Sequence, residues 1–506
     1  MILPVVSVNL PVDEQMRVCK RRLMPEGASG RLPRISIVTG THGDELEGQY
    51  VCYELARRIE AQPRLLTGIV DIYPALNPLG VDSITRGVPG FDLDMNRIFP
   101  GSEDGAMAEY AAAHITQDIL GSDVCIDVHA SNIFLREIPQ VRVSETTAKT
   151  LVPLARELNC DFIWVHASAT VLESTLAHTL NMRGVPTLVV EMGVGMRITR
   201  EYGDQLLAGI FRLMHRLGIW AGEAPQVRTP IVSTDGKVAF LNAPTLGMFV
   251  PRVTHWEDVH AGEVIGDILN PLGIDSITRG VPGFDLDMNR IFPGSEDGSM
   301  AEYAANSIIR DIEGSDVCID VHASNIFLRE IPQVRVSETT ARTLLPYARE
   351  LNCDFIWVHA SAPVLESTLA HTLNTRGVPT LVVEMGVGMR ITRAFGDQLL
   401  SGIFHLMHSL GIWAGEAPDV REPIISTDGR VSFLNAPTLG MFVPTATHWE
   451  NVHAGEIIGE IINPLTGEGT PIASPVDGLL FTLREYPLVY EGSLLARVLA
   501  REEVRA

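Results

Sequence analysis

The chain has 506 residues, 46% of them hydrophobic, and carries 62 acidic against 39 basic side chains, a net charge of −23. That size and apolar content suit a folded chain of roughly two to four domains. The charge would repel phosphate backbones and anionic bilayers, and no basic run offsets it, so neither nucleic acid nor a membrane is an expected partner. The opening MILPVVSVNLPVDEQ shows no basic leader, and no apolar run approaches spanning length, which reads as a cytoplasmic protein. The six cysteines lack paired metal spacing and sit in apolar surroundings, as reduced core thiols do.

In chain order, RISIVTG, GIVDIYPALN, DVCIDVHA, DFIWVHA and TLVVEMG read as strands. Between them EGQYVCYELARRIEA, MAEYAAAHITQDIL, TTAKTLVPLARELN and ESTLAHTLNMRG have helical periodicity. This alternation predicts an α/β fold, a mostly parallel, mixed sheet covered by helices on both faces. After GDQLLAGIFRLMHRLGIW the pattern changes to short strands and turns, so a small β module begins near residue 226.

The segment NPLGVDSITRGVPGFDLDMNRIFPGSEDG at Asn77 returns at Asn270 with one change, and His129 and Glu191 return as His322 and Glu384 at the same spacing of 193 residues. A unit that long and that little changed is a duplicated domain segment; solenoid repeats are shorter and more divergent. The first copy breaks off after HAGEVIGDILNPL, whereas the second continues into TGEGTPIASPVDGLLFTLREYPLVYEGSLLARVLA and has no counterpart of residues 1–76. The expected organisation is a catalytic domain over 1–225, a truncated β module over 226–269, a partial repeat of the catalytic domain over 270–418 and a complete β module over 419–506. Residues 1–76 joined to 270–506 would make one complete ancestor.

Nearly every chemically capable residue of the first copy follows a strand: His42 and Glu45 the first, Asn77 the second, His129 the third, His166 the fourth, with Glu191 ending the fifth. Open α/β sheets bind ligands at the carboxyl edge of their strands, so these residues should converge. Two imidazoles and one carboxylate, here His42, Glu45 and His129, make a three-ligand catalytic zinc site, one ion per chain. Glu191, closing an apolar strand, is the candidate general base. The loop ITRGVPGFDLDMNRIFPG supplies Arg86, Asn96 and Arg97; arginines in so acidic a protein suggest an anionic substrate.

The motifs THGDE, NP…TRG…DLDMNRIFPG, DVHAS and VVEMG together resemble the succinylglutamate desuccinylase and aspartoacylase family, the acyl-amino-acid branch of the zinc carboxypeptidase clan. The likeness runs over residues of roughly 30 to 220, and the C-terminal β tail resembles the small domain of many bacterial members. The resemblance implies a zinc hydrolase of the amide bond in small anionic N-acyl amino acids. His42, Glu45 and His129 would be the ligands, Glu191 the base and proton shuttle, and Arg86 the group stabilising the oxyanion. Asn96 with Arg97 would bind a substrate carboxylate, and Arg136 or Arg183 is the candidate for acyl-group recognition.

Plainer roles fit other polar residues. Asp92, Asp94 and Asp127 are expected to orient neighbours rather than bind metal, with Asp127 placed to support His129. His166, His178, His255 and His260 read as structural, His166 being the first exception to consider. The second copy keeps Arg279, Asn289, Arg290, His322 and Glu384 but lacks an HxxE pair, so it is expected to be catalytically dead, with a sheet edge and apolar helix faces uncovered. Residues 1–76 could dock on either copy, and being contiguous and made first, the first should win. The orphan half-module of residues 226–269 should expose strand edges and invite homo-oligomers or domain swapping. Two alternatives stand beside the deacylase: a zinc carboxypeptidase acting on small peptides, and a non-catalytic duplicated scaffold.

Overall fold

The computed structural model describes residues 1–10, 14–27, 30–91, 93–167, 173–269, 280–281, 286–360, 366–427 and 430–501. Arg279 and Asp92 lie outside the described residues, as does Asn270 at the repeat junction.

The first copy is built on nine strands: β1 (Ile2–Asn9), β2 (Gln15–Leu23), β3 (Arg34–Thr39), β4 (Ile69–Tyr73), β5 (Val124–His129), β6 (Glu137–Ser144), β7 (Phe162–His166), β8 (Thr187–Gly193) and β9 (Ile231–Thr234). Their order across the sheet is β1, β2, β4, β3, β5, β8, β6, β7, β9. The central pairs β4/β3, β3/β5 and β5/β8 are parallel, and β6 enters antiparallel to β8, which makes the sheet mixed. Helices α1 (Glu47–Ala61), α2 (Pro78–Ser83), α3 (Met107–Ile119), α4 (Ala148–Ala155), α5 (Leu176–Met182) and α6 (Arg200–Arg216) complete this part. The continuous apolar runs of β3, β5 and β8 follow from burial on both faces, with separate core clusters above and below the sheet.

Residues 1–76 pack on the first copy, where β3 lies between β4 and β5. The β1/β2 hairpin, in which Pro4 interrupts the apolar run of β1 and Arg17, Lys20, Arg21 and Arg22 punctuate β2, is fastened by ions: Lys20 Nζ meets Asp118 at 2.6 Å, and Arg22 grips Asp71 with two bonds of 2.7 and 2.6 Å. Such two-point pairs hold orientation as well as charge.

Of the orphan half-module, Ile231–Thr234 joins the first sheet as β9 beside β7, and the remainder contributes the antiparallel pair β10 (Met248–Pro251) and β11 (Gly266–Leu269). The second copy then repeats the pattern with β12 (Cys318–Ala323), β13 (Leu328–Ser337), β14 (Phe355–His359), β15 (Thr380–Gly386) and β16 (Ile424–Thr427). Helices α7 (Met300–Ile312), α8 (Ala341–Arg349), α9 (Leu369–Thr375) and α10 (Arg393–Ser409) accompany them. No counterpart of β3 or α1 follows it among the described residues, and β12 pairs with β15 alone. The uncovered surface is visible at Val321, 48% exposed where its counterpart Val128 is 1% exposed.

The last module comprises β17 (Val431–Asn435), β18 (Gly440–Pro444), β19 (Asn451–Val452), β20 (Ile457–Ile462), β21 (Gly469–Ala473), β22 (Gly478–Arg484), β23 (Leu488–Val489) and β24 (Leu494–Ala500). Residues 463–501 pair with their neighbours at 431–462, β24 with β17 and β21 with β20. The module also bridges the two copies, an arrangement the linear sequence does not reveal. Strand β22 extends the second sheet at Leu328–Glu330. Met441, Val443, Ile462, Tyr486 and Leu488 meanwhile join the core of the first copy around α1 and α6, and Tyr53 donates a hydrogen bond to Glu460 at 3.2 Å. Helix α1, packed against the sheet, α6 and this module, is buried at most of its residues.

Candidate metal centre

The loop from β3 to α1 carries His42 and Glu45 to the carboxyl edge of the sheet. Gly43 is required within it: a Cβ there would collide with the backbone of Gly80, and its amide donates to Thr85 at 3.1 Å. This contact brings the loop carrying Arg86 against the one carrying His42. His129 ends β5, the strand next to β3, and lies in register with Glu191 on β8.

The three residues converge on one point. His42 Nδ1 lies 2.7 Å from Glu45 Oε1 and His129 Nδ1 lies 2.9 Å from Glu45 Oε2, and all three side chains are buried. Their ligand atoms all fall within 4.8 Å of one another, close enough to hold one ion, and this is the one such group among the described residues. The far side of each ring meets a carboxylate: His42 Nε2 is 3.0 Å from Asp94, and His129 Nε2 is 3.1 Å from Asp127, within ion-pairing range though not aligned as a hydrogen bond. Carboxylates there favour a proton on Nε2 and leave the Nδ1 lone pair for a metal. The donor set therefore fits a metal ion.

Burial lowers both histidines, but the carboxylates of Asp94, Asp127 and Glu45 outweigh it and raise them, so with no ion between them the rings themselves carry positive charge, which a metal would replace on binding. Burial raises the Glu45 carboxyl, but the charges of and hydrogen bonds to His129 and His42 outweigh it and hold Glu45 below the usual range. Burial likewise opposes the low value of Asp94, whose bond to His42 brings it down to about 2. Glu191 behaves in the opposite way. Burial lifts it to about 7 against the pull of Arg142, whose Nη1 lies 3.4 Å from its carboxylate. A carboxyl that exchanges its proton near neutrality is suited to general acid and base work.

These groups line a cavity of about 510 Å³ together with Arg86, Asn96, Arg97, Arg142, His166 and His178. Arg86 donates to Glu45 at 2.8 Å and reaches to 3.3 Å from His42, so its cation lies directly on the ligand set. Asn96 accepts from the Leu176 amide at 3.0 Å, which ties its loop to the start of α5 and leaves its amide nitrogen as the group that can face a ligand. Arg97 is exposed, and its Nη1 donates to the Asn96 carbonyl.

Two of the expected residues lie away from this cavity. Arg136 does not line the cavity; it lies just before β6 with its guanidinium 5.7 Å from the Tyr202 ring centre. Arg183, exposed at the end of α5, does not line it either. Arg142 is the arginine that faces Glu191. Its signal was the alternation in EIPQVRVS, which puts Gln140 and Arg142 on one face of a strand. Pro139 obscured that strand, and a register shift between Glu137 and Gln140 breaks its alternation. His178, read as structural, lines the cavity too; His255 and His260 do not.

In the second copy Asn289, Arg290, His322 and Glu384 line a wider cavity of about 970 Å³, along with Arg497 from the last module. His322 retains its aspartate, Asp320, at 3.0 Å, and Arg335 faces Glu384 at 3.5 Å. Among the described residues nothing stands in the place of His42 and Glu45.

The profile of the succinylglutamate desuccinylase/aspartoacylase catalytic domain matches residues 31–217 and 247–410, more than half of the chain. The chain belongs to this family. A curated relative, the N-alpha-acetyl-L-2,4-diaminobutyric acid deacetylase of Halomonas elongata, is 33% identical over 111 residues, which are 22% of this chain. The match spans about a third of that relative's length, 32%. Among solved structures, a succinylglutamate desuccinylase from Silicibacter sp. TM1040 aligns with a TM-score of 0.47 at 18% identity, over 54% of this chain and 88% of its own. A succinylglutamate desuccinylase/aspartoacylase from Rhodobacter sphaeroides aligns over 99% of this chain and 96% of its own, with a TM-score of 0.38 at 15% identity. No helix among the described residues is long and apolar enough to cross a membrane.

Proposed function

We infer that the first copy is a zinc-dependent hydrolase that cleaves the amide bond of an N-acyl amino acid, and that the second copy is catalytically silent. The observation that carries this is the convergence of His42 Nδ1, Glu45 and His129 Nδ1, each ring backed by its own aspartate, in a cavity closed by a neutral-range glutamate. His42, Glu45 and His129 would hold a zinc ion, which would supply Lewis acidity toward the amide carbonyl and lower the pKa of water toward about 7. Glu191 takes the proton of the attacking water at its carboxylate and returns it to the departing amine, a transfer its pKa favours in both directions. Arg86, already on the ligand set, stabilises the negative charge that develops on the carbonyl oxygen. Asn96 and Arg97 hold the substrate carboxylate at the rim, and Arg142 keeps Glu191 oriented toward the cavity.

The test is zinc per purified chain, together with release of free amino acid from N-acetyl and N-succinyl amino acids, including N-acetyl-diaminobutyrate, with dipeptides as comparators. One zinc and release from N-acyl amino acids, both lost in His42→Ala, is the expected result. Zinc with cleavage of dipeptides alone would identify a carboxypeptidase. No zinc in the wild type would leave a duplicated scaffold.

A further inference from the structure

The last module is itself built from two similar halves. APTLGMFVP at 243–251 and its copy beginning at Ala436 correspond to SPVDGLLFT at 474–482, and VHAGEVIGDIL at 259–269 corresponds to VYEGSLLARVL at 489–499. The strand pairing between the halves is reciprocal. Val431↔Leu499 through Asn435↔Leu494 joins the first strand of one half to the last of the other, and Gly469↔Ile462 through Ala473↔Ile457 does the same with the halves exchanged. Gly440↔Val489 and Met441↔Leu488 are likewise mirrored by Gly478↔Val452 and Leu479↔Asn451. Each half thus presents to the other the surface it receives, the relation that defines a two-fold, isologous interface.

The orphan half-module between the copies has the sequence of one such half and, among the described residues, no second half paired with it. Its internal hairpin forms in the same register, Met248↔Leu269 to Pro251↔Gly266 matching Met441↔Ile462 to Pro444↔Gly459. Among the described residues β10 and β11 pair only with each other. Val250 is buried, but several other apolar side chains of the half-module lie in water where their counterparts form a core: Phe249 is 55% exposed against 1% for Phe442, and Leu241 76% against 6% for Leu434. Val259 is exposed where Val452 is buried. Phe134 and Leu135, beside the metal-centre cavity, are also exposed, whereas their counterparts Phe327 and Leu328 pack against the second half of the complete module. Large apolar side chains exposed in this number, where the equivalent residues elsewhere in the chain are covered, mark an interaction site.

We propose that residues 238–269 are the dimerisation element of this protein, two chains joining their orphan half-modules about a two-fold axis to reproduce the half-to-half interface already formed within residues 431–500. A second copy of this chain is the occupant that fits. The other segment among the described residues with that shape, residues 463–501, is taken up by residues 431–462 in every chain, so exchanging it fills one site by emptying another. The isologous pairing fills both at once and closes. It sets Met248 of one chain opposite Asp258 of the other, as Met441 stands opposite Leu488 and Leu479 opposite Asn451.

The full-length chain is expected to sediment at tens of micromolar as twice its 55.3 kDa. Phe249→Glu should weaken the dimer at least about 100-fold while zinc content per chain stays unchanged. Met248→Cys and Asp258→Cys chains, mixed and mildly oxidised, should give a covalent heterodimer that neither forms alone and that the wild type, with its six native thiols, does not form. A monomeric wild type would overturn the proposal, as would a dimer in which the mixed variants stay unlinked. Cross-linking of Met248→Cys to Leu488→Cys in place of Asp258→Cys would overturn it in favour of tail exchange.

Discussion

Strands β5 and β12 both contain the residues Cys-Ile-Asp-Val-His and differ in what lies beside them. In β5 every side chain is buried, because β3 occupies the outer edge and α1 lies over the face; in β12 none is. The same holds for α6 and α10: Gly203 is packed on the Tyr50 ring, whereas a Cβ at Gly396 would meet nothing within 4 Å. A near-identical sequence thus gives a closed metal centre in one place and an open, wider cavity in the other. The chemistry of His129 is a property of its neighbours as much as of the strand that carries it.

The largest expected effect comes from removing one histidine from either copy. His129→Ala should abolish zinc binding and N-acyl amino acid hydrolysis, because two ligands hold zinc poorly; His322→Ala should leave both as in the wild type. Metal analysis of the two variants checks this. A His129→Ala chain that retained one zinc would break the comparison, since residues 1–76 would then have to move to the second copy and use His322.

Glu191→Gln against Glu384→Gln comes next. General base catalysis contributes about 10²- to 10⁴-fold, so kcat/KM should fall by that range in the first variant and not change in the second. The sign with pH follows from burial raising Glu191 to about 7. The carboxylate needed as base predominates above that value, so the wild-type rate should climb as pH rises through about 7 and level off above it. A wild-type profile without that limb, or one retained in Glu191→Gln, would assign the base elsewhere.

How much of this could be read in the linear sequence depended on whether the information was local. Strands β3, β4, β5, β7 and β8 and helices α1, α3, α4 and α5 announce themselves by apolar periodicity, and the strand ends then indicate where His42, Glu45, His129 and Glu191 gather. Strand β6 was missed because Pro139 and its charged residues do not look like a buried strand, and Arg142 was missed with it. Asp94 could be named as an orienting group but not given a partner, since 52 residues separate it from His42 and only the folded loop closes that distance. The bridging position of the last module was not legible at all. It rests on contacts such as Tyr53 to Glu460 between surfaces that are separately unremarkable in sequence.

The edge left by the missing unit can be tested through stability. Leu207 is fully buried against α1 and the sheet, and its counterpart Leu400 is 52% exposed. Leu207→Ala should cost about 2–5 kcal/mol by opening a cavity, whereas Leu400→Ala should stay within about 0.5 kcal/mol. Urea unfolding followed at the transition that releases zinc would measure both. Equal losses would mean that the second copy's helix face is covered in solution.

The smallest effect, and the finest test of the comparison, is at the aspartates behind the two histidines. Asp127 and Asp320 hold the same position relative to His129 and His322, at 3.1 and 3.0 Å. If the carboxylate serves to fix the ring and its tautomer for a metal, Asp127→Asn should weaken zinc about 10- to 100-fold in chelator competition, the range typical of such supporting groups. Asparagine keeps the shape and an acceptor but removes the charge, so the loss reports the electrostatic part of the support and not a packing defect. Asp320→Asn should change nothing, since among the described residues His322 has no second histidine or HxxE glutamate with which to share an ion. Unchanged zinc affinity in Asp127→Asn would show that the contact of His129 with Glu45 orients the ring by itself, and Asp127 would then be a buried charge kept for reasons unrelated to the metal.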